Sequence, residues 1–149
     1  MDETDRRILR ILQADASLPV EQVAEQAHLS RNACWRRIKK LEEEGVVARR
    51  VALLDPEKLG LGLTVFILVR TNQHEARWLE AFKTAIAELP QIIGVYRTSG
   101  QVDYILRAQV ADMKAYDALY QELIRRVSLY DVSASFVMEE IKETTELPV

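Results

Sequence analysis

The sequence predicts an α+β protein made of two different parts. In the first part, residues 1–53, apolar side chains recur at the three- and four-residue intervals of amphipathic helices. In the second part, residues 63–149, short β-branched runs alternate with two helical stripes in the order β-α-β-β-α-β. A linker punctuated by Pro and Gly, residues 54–62, separates them. The 149 residues leave room for two small domains.

The composition is that of a folded globular protein, with 48% hydrophobic residues. No apolar run reaches the ~18 residues that a membrane span requires. The charged N-terminal stretch also lacks the apolar core of a signal peptide, so we expect a cytoplasmic location. The single cysteine, Cys34, excludes an internal disulfide framework and a multi-cysteine metal site.

The first part begins with two helices. An apolar stripe predicts a helix over 4–15, with Thr4 as its N-cap. Pro19 disfavours helix for the residue before it and suits the first turn of a new helix. A second, shorter helix is therefore expected over 20–27.

A third helix is expected from its N-cap Ser30 to Glu44, ended by Gly45 at the C′ position. His28 lies in the preceding turn, and histidine tolerates left-handed backbone better than most residues. We interpret His28 as a structural turn residue, with an effector or metal ligand as the alternative. The β-branched segment 46–54 then predicts a small hairpin or wing.

The third helix has two unlike faces. At 100° per residue, Cys34 and Ile38 fall on the inward side. Cys34 is interpreted as a small core residue, and a redox switch is the alternative. The residues that begin this helix or face outward from it are Ser30, Arg31, Asn32, Trp35, Arg36, Lys39 and Lys40.

The charge distribution indicates a nucleic-acid partner. The net charge of −3 divides into ten basic and nine acidic residues over 1–53, and ten against fourteen over 54–149. The run 30–40 holds five basic residues and no acid. A local basic face is what a small DNA-binding domain needs. Three helices with a basic outward helix, followed by a wing, predict a winged helix-turn-helix that binds double-stranded DNA.

Each outward residue has a chemical role in this hypothesis. Arg36 can pair bidentately with guanine, and Asn32 with adenine. Trp35 either packs under the helix or lies along the sugar-phosphate backbone. The remaining cations are interpreted as phosphate contacts that fix the register on DNA: Lys39, Lys40, Arg49 and Arg50. The alternative is that the basic stripe is an ordinary solvated helix face.

The second part has the element order of a ferredoxin-like βαββαβ domain. Its strands are expected over 64–71, 92–98, 103–110 and 132–141, and its helices over 74–89 and 112–127. The first strand is apolar on both faces, with Phe66 and Leu68 on one of them. Helices can cover one face, and a second layer or a partner chain is expected to cover the other.

Four stretches carry a family resemblance: LSRNACWRRIKKLEEEGVV, ALLDPEKLGLGL, TSGQVDYILRAQVADMKAYDALY and SFVMEEIKETTELP. Together they resemble the Lrp/AsnC (feast/famine) regulators over essentially the whole chain, most closely the branch that responds to sulfur amino acids such as cysteine. The resemblance implies a sequence-specific transcription regulator modulated by a small amino acid, with cysteine, methionine or leucine as the expected class. It also implies homodimers formed through the sheet, which assemble into tetramers or octamers.

The resemblance places the effector in a cleft between dimers, near a Gly-x-x-Asp-Tyr turn over 100–104. The residues it implies are Ser99, Gly100, Gln101, Asp103, Tyr104, Ser133, Ser135, Glu140, Thr144 and Thr145, some from a neighbouring chain. Gly100 would let backbone amides approach a carboxylate, and Asp103 would answer an ammonium. The alternative is a tight hairpin in which Asp103 only satisfies turn amides.

Two other classes of function compete with this hypothesis. An enzyme is disfavoured because His28 and His74 lie in different domains, and no Gly-rich phosphate loop or metal-ligand cluster occurs. No cofactor or metal is therefore expected. A ligand-binding module that has lost DNA binding is disfavoured by the intact basic stripe.

Overall fold

The computed structural model describes residues 1–73 and 75–149, so His74 lies outside the described residues. The chain divides into two compact units. The first unit combines Met1–Leu53 with Ile141–Val149, and the second is Leu54–Glu140. None of the described helices is long and apolar enough to cross a membrane.

Three helices form the first unit: α1 (Glu3–Ala14), α2 (Val20–Gln26) and α3 (Arg31–Glu43). They enclose an apolar core of Ile8, Leu9, Leu12, Val23, Ala24, Ala27, Cys34, Ile38 and Leu41. The N-cap of α1 is Asp2 and not the predicted Thr4. Asp2 and Asp5 each accept the other's amide at 2.9 Å, and this reciprocal capping box places the N-cap two residues earlier than predicted.

The turn between α2 and α3 confirms the structural role predicted for His28. Its φ is 55°, in the left-handed region. The amides of His28 and Leu29 then donate to carbonyls at the end of α2. Ser30 caps α3 as predicted, because its Oγ accepts the Ala33 amide at 3.3 Å. Gly45 ends α3 with a φ of 72°.

The hairpin or wing predicted for 46–54 is not formed. Every strand in the described part of the chain belongs to one sheet of the second unit, and 46–54 is irregular. Val47 packs against the helical core, whereas Val51 and Leu53 are exposed. A two-stranded hairpin without a surface to pack on is only marginally stable, so β-branched composition alone does not produce one.

The second unit contains β1 (Leu63–Arg70), α4 (Ala76–Ala87), β2 (Ile92–Arg97), β3 (Tyr104–Val110), α5 (Met113–Arg126) and β4 (Asp131–Phe136). The sheet order is β2-β3-β1-β4, all antiparallel, as the βαββαβ prediction requires. The last strand ends earlier than the predicted residue 141. Val137 still donates to the Thr64 carbonyl, but beyond it the chain would run past the beginning of β1.

The two faces of the sheet differ in how they are covered. Val65, Ile67 and Val69 are fully buried in the core that the sheet shares with α4 and α5. Phe66 and Leu68 point to the opposite side, where Phe66 remains 36% exposed. We call this side the open face, since α4 and α5 pack on the other side.

The last nine residues, the tail (Ile141–Val149), group with the first unit, although the sequence analysis had assigned them to the second part. Gln13 Nε2 donates to the Leu147 carbonyl at 3.1 Å, and the Leu147 amide donates to Gln13 Oε1 at 2.7 Å. Arg10 Nε donates to the Val149 main-chain oxygen at 2.7 Å. The Val149 side chain packs against the helical core. These contacts attach the tail to α1.

Candidate nucleic-acid interface and effector turn

Helix α3 presents the face that its periodicity predicts. Cys34, Ile38 and Leu41 are buried, which fixes the rotation of the helix. The opposite side, here called the recognition face, consists of the exposed residues Arg31, Asn32, Trp35, Arg36, Lys39 and Lys40. A rigid, capped helix can hold such side chains in one register against a groove.

Arg37 holds α3 against the beginning of α1. Its guanidinium donates to Asp2 Oδ2 at 2.8 Å and to Asp5 Oδ1 at 2.7 Å. The Asp5 amide and Arg37 lower the pKa of Asp2. Partial burial raises the pKa of Asp5, but hydrogen bonds from the Asp2 amide and Arg37 outweigh it, and the pKa is lowered. Arg37 was not singled out from the sequence, although acids in the first turn of α1 are a signal for a cation nearby.

Acids from outside the run 30–40 pair with the cations of the recognition face. Glu21 of α2 binds Arg31. The last turn of α3 and its C-cap supply Glu42, 3.0 Å from Lys39, and Glu44, 3.7 Å from Lys40. The run 30–40 therefore contains no acid in the sequence, but acids from other positions lie beside its cations in the structure. Exposed pairs of this kind stabilise by only about 0–1 kcal/mol, so DNA phosphates can replace them.

Arg36 differs from its neighbours. Across residues 1–73 and 75–149 the structure records no hydrogen bond or ion pair for its side chain, which is exposed. The Arg36 guanidinium therefore breaks no recorded hydrogen bond or ion pair when it enters a DNA groove. Its planar array of donors matches the N7 and O6 acceptors of guanine.

Trp35 is 52% exposed, which excludes full burial under α3. It borders a pocket of about 230 Å³ lined by apolar side chains of all three helices. Lys39, Glu42 and Arg50 also line this pocket. The indole is thus placed beside two of the predicted phosphate-binding cations.

The turn over 99–103, here called the effector turn, joins β2 to β3. Gly100 does not have the left-handed backbone expected for a tight turn. A Cβ added to it would meet no atom within 4 Å. The turn itself therefore does not require glycine at position 100. Glycine would be required there only if another molecule approached the backbone closely.

Asp103 is anchored within its own unit. Its Oδ2 accepts the Thr71 amide at 2.8 Å, and its amide donates to the Val69 carbonyl at 2.9 Å. Its carbonyl accepts the Thr98 amide at 2.9 Å. The first two bonds join the beginning of β3 to the end of β1, and the third joins it to the end of β2. The carboxylate thus accepts an amide just beyond β1 and not an amide of the effector turn, which was the alternative.

The other predicted effector residues are dispersed. Tyr104 is buried, with its ring 4.8 Å from that of Phe82 between centroids, and so belongs to the core. Ser133 and Ser135 are exposed on the open face of β4, which lies two strands from β3, roughly 10 Å. Ser99, Gln101 and Glu140 are exposed, as are Thr144 and Thr145 in the tail. Among the described residues of the second unit, the effector turn and the two serines are therefore not gathered into one site.

Cys34 occupies the core of the first unit, as predicted. Burial raises the pKa of its thiol, which keeps the group protonated and poorly nucleophilic. The structure thus gives no support to the redox alternative. Within the described residues, no group of three or more His, Cys, Asp or Glu side chains is arranged to hold a metal ion.

Two family models match the chain. The AsnC-type helix-turn-helix domain matches residues 1–42, and the Lrp/AsnC ligand binding domain matches residues 64–147. The DNA-binding transcriptional activator DecR of Escherichia coli is 47% identical and aligns with 100% of this chain and 99% of its own. The glutamate uptake regulatory protein of Zymomonas mobilis is 48% identical, covering 100% of this chain and 91% of its own.

Solved structures agree along the whole chain. An AsnC family transcriptional regulator from Agrobacterium tumefaciens has a TM-score of 0.96 at 51% identity, covering 99% of this chain and 97% of its own. A transcriptional regulator from Neisseria meningitidis in complex with L-methionine has a TM-score of 0.95 at 36% identity, covering 99% and 96%. The chain therefore belongs to the Lrp/AsnC family of DNA-binding transcriptional regulators.

Proposed function

We propose that this regulator binds operator DNA through the recognition face of α3, and that an amino acid bound at the second unit modulates this binding. The observation that carries the first half is Arg36, which is exposed and has no recorded partner among the described residues. Helix α3 around it is fixed at one end by the Ser30 cap and along its side by the Arg37 bonds.

The roles on DNA follow from chemistry and position. Arg36 and Asn32 contact base edges, because they lie on the outward side of the second helix of a helix-turn-helix. Trp35 packs its exposed edge along the sugar-phosphate backbone. The remaining residues contact phosphates and set the register: Ser30, Arg31, Lys39, Lys40, Arg49 and Arg50.

The effector is proposed to be an amino acid, with the cysteine, methionine or leucine class first. A related structure contains L-methionine, and a relative of 34% identity is the leucine-responsive regulatory protein of Escherichia coli. The α-carboxylate would bind the open backbone at Gly100. The ammonium would face Asp103, whose Oδ2 already accepts the Thr71 amide.

A second copy of the chain is proposed to complete this site. The predicted effector residues are dispersed, and Ser133, Ser135, Glu140, Thr144 and Thr145 are exposed, so they remain available to a neighbouring chain. Phe66 and Leu68 on the open face, with Ile105 beside Leu68 on β3, form an apolar surface that suits a dimer. Met138 and Ile141 are 94% and 90% exposed and favour further assembly into tetramers or octamers.

Such a regulator acts where the chromosome is, in the bacterial cytoplasm.

The first test is Arg36→Ala on a duplex selected from genomic fragments by the native protein. Affinity for that duplex should fall about 10-fold or more, the usual cost of a bidentate arginine–guanine contact, while affinity for mixed-sequence DNA changes little. Arg125→Ala, which removes an exposed cation from the second unit, is the matched control. Unchanged affinity of Arg36→Ala for the selected duplex would refute the placement of the base-reading face.

A further inference from the structure

Two of the proposed phosphate contacts already share an anion within the chain. Lys39 Nζ lies 3.0 Å from Glu42 Oε2, and Arg50 Nη2 lies 3.2 Å from Glu42 Oε1. Lys39 is one turn before Glu42 on α3, and Arg50 comes from the irregular segment that follows the helix. One carboxylate thus joins the recognition helix to the segment behind it.

This arrangement has the form of a phosphate site. Two cations from different segments converge on one anionic group, with one cation on each of its oxygens. All three side chains are partly exposed, at 50%, 43% and 30% for Lys39, Arg50 and Glu42, so an external anion can reach them. The hydrogen bond from Lys39 and the positive charge of Arg50 lower the pKa of Glu42, which keeps it ionised.

We propose that Glu42 competes with DNA phosphate for Lys39 and Arg50, and thereby lowers the affinity of the regulator for non-operator DNA. This inference rests on the proposed DNA-binding face. When a phosphate approaches, it displaces the carboxylate from its two partners, and the displaced Glu42 remains nearby as a like charge. Both effects weaken the contact of this pair with phosphates of any sequence.

The consequence is weaker sequence-independent binding to DNA. Phosphate contacts supply nearly all of non-specific binding, whereas base contacts supply discrimination. Glu42 weakens the phosphate contacts. It does not affect the base contact of Arg36, which has no acid recorded beside it among the described residues. Glu42 therefore sets the strength of these phosphate contacts and need not touch a base.

The experiment compares Glu42→Gln with Glu43→Gln in the full-length protein. Glu43 is the adjacent exposed residue on α3, with no ion pair recorded in the described part of the chain, so its variant loses the same charge. Affinity is measured for a mixed-sequence 30-base-pair duplex over a salt series. Glu42→Gln should bind about 3- to 10-fold more tightly near 0.1 M salt, with a steeper salt dependence, and Glu43→Gln should change far less.

Two further variants separate the possible failures. In a Lys39→Ala/Arg50→Ala background, Glu42→Gln should no longer improve binding beyond Glu43→Gln. Weaker binding by Glu42→Gln would overturn the inference and make Glu42 a positioning residue for the two cations. Equal gains in Glu42→Gln and Glu43→Gln would overturn it in favour of bulk charge. If Lys39→Ala/Arg50→Ala binds mixed-sequence DNA as well as the native protein does, the proposed DNA face itself fails.

Discussion

The recognition face and the effector turn differ in how much of each is assembled within one chain. On α3, six exposed residues share one side of one helix, and their direction is fixed by the buried Cys34 and Ile38. Around the effector turn, Asp103 is engaged by β1, Tyr104 lies in the core, and the serines are on another strand. We infer that one chain suffices to contact DNA, whereas an amino acid requires two chains.

Glycine illustrates the same difference. Gly45 has a φ of 72°, a backbone conformation that side chains other than glycine rarely adopt, so the end of α3 requires it. Gly100 has ordinary backbone and open space around it. The glycine at the DNA-binding unit serves the fold, and the glycine at the effector turn has no role that the fold supplies.

The largest effect is expected from Phe66→Glu. Phe66 points away from the core, so the fold should persist. In a dimer, a carboxylate at this position would be taken out of water in place of an apolar side chain, and this costs free energy even with Arg107 opposite it on β3. Dimer affinity should fall by at least about 100-fold, as measured by analytical ultracentrifugation over a range of concentrations. Ile124→Glu on α5, where the side chain is 38% exposed compared with 36% for Phe66, is the matched control and should remain dimeric. Dimerisation of Phe66→Glu with native affinity would place the interface elsewhere.

Gly100→Val should remove the response to amino acids without loss of stability. The native protein is first screened with the twenty amino acids by thermal shift, since a ligand that binds the folded state raises Tm. The amino acid that raises Tm most should no longer do so in Gly100→Val, whose Tm without ligand should match the native value. Gly45→Val should show the converse, a lower Tm from strained backbone. If Gly100→Val shows the full Tm response to the amino acid, the effector turn is not the binding site.

A smaller effect is expected from Arg37→Met at acid pH. Hydrogen bonds from capping amides and from Arg37 lower the pKa of both Asp2 and Asp5. Such carboxylates stabilise the fold above their unfolded pKa, and the stabilisation is lost as pH falls through the lower folded value. The Tm of Arg37→Met should therefore decline less than the native Tm as pH is lowered from about 5 to 3. Arg77→Met, in which the lost cation has no recorded ion pair among the described residues, should follow the native curve. Identical pH dependence of Arg37→Met and native protein would contradict the role of Arg37.

Local patterns in the sequence predicted most of the fold. The periodicity that buries Cys34 and Ile38 is contained in α3 itself, and the turn at His28 needs only its neighbours. Individual side-chain contacts between distant residues were not predicted. Gln13 binds Leu147, 134 residues away, and this contact moved the tail into the first unit.

The candidate site follows the same division. The direction of the recognition face was predictable from the helix, whereas the Glu21 that pairs with Arg31 comes from another helix and was missed. The effector residues were predicted from resemblance and lack a shared periodicity. Tyr104 is an example: the resemblance assigned it to the effector site, whereas the alternation of buried residues along β3 places its side chain in the core.

The most direct test of the difference between the two regions uses the monomeric Phe66→Glu variant. Its affinity for a mixed-sequence duplex, too short for two copies of the regulator, is measured beside its Tm response to the amino acid that stabilises the native protein most. We expect this variant to bind the duplex with native affinity and to show no Tm response to the amino acid. A monomer that still binds the amino acid as tightly as the native dimer would contradict the account.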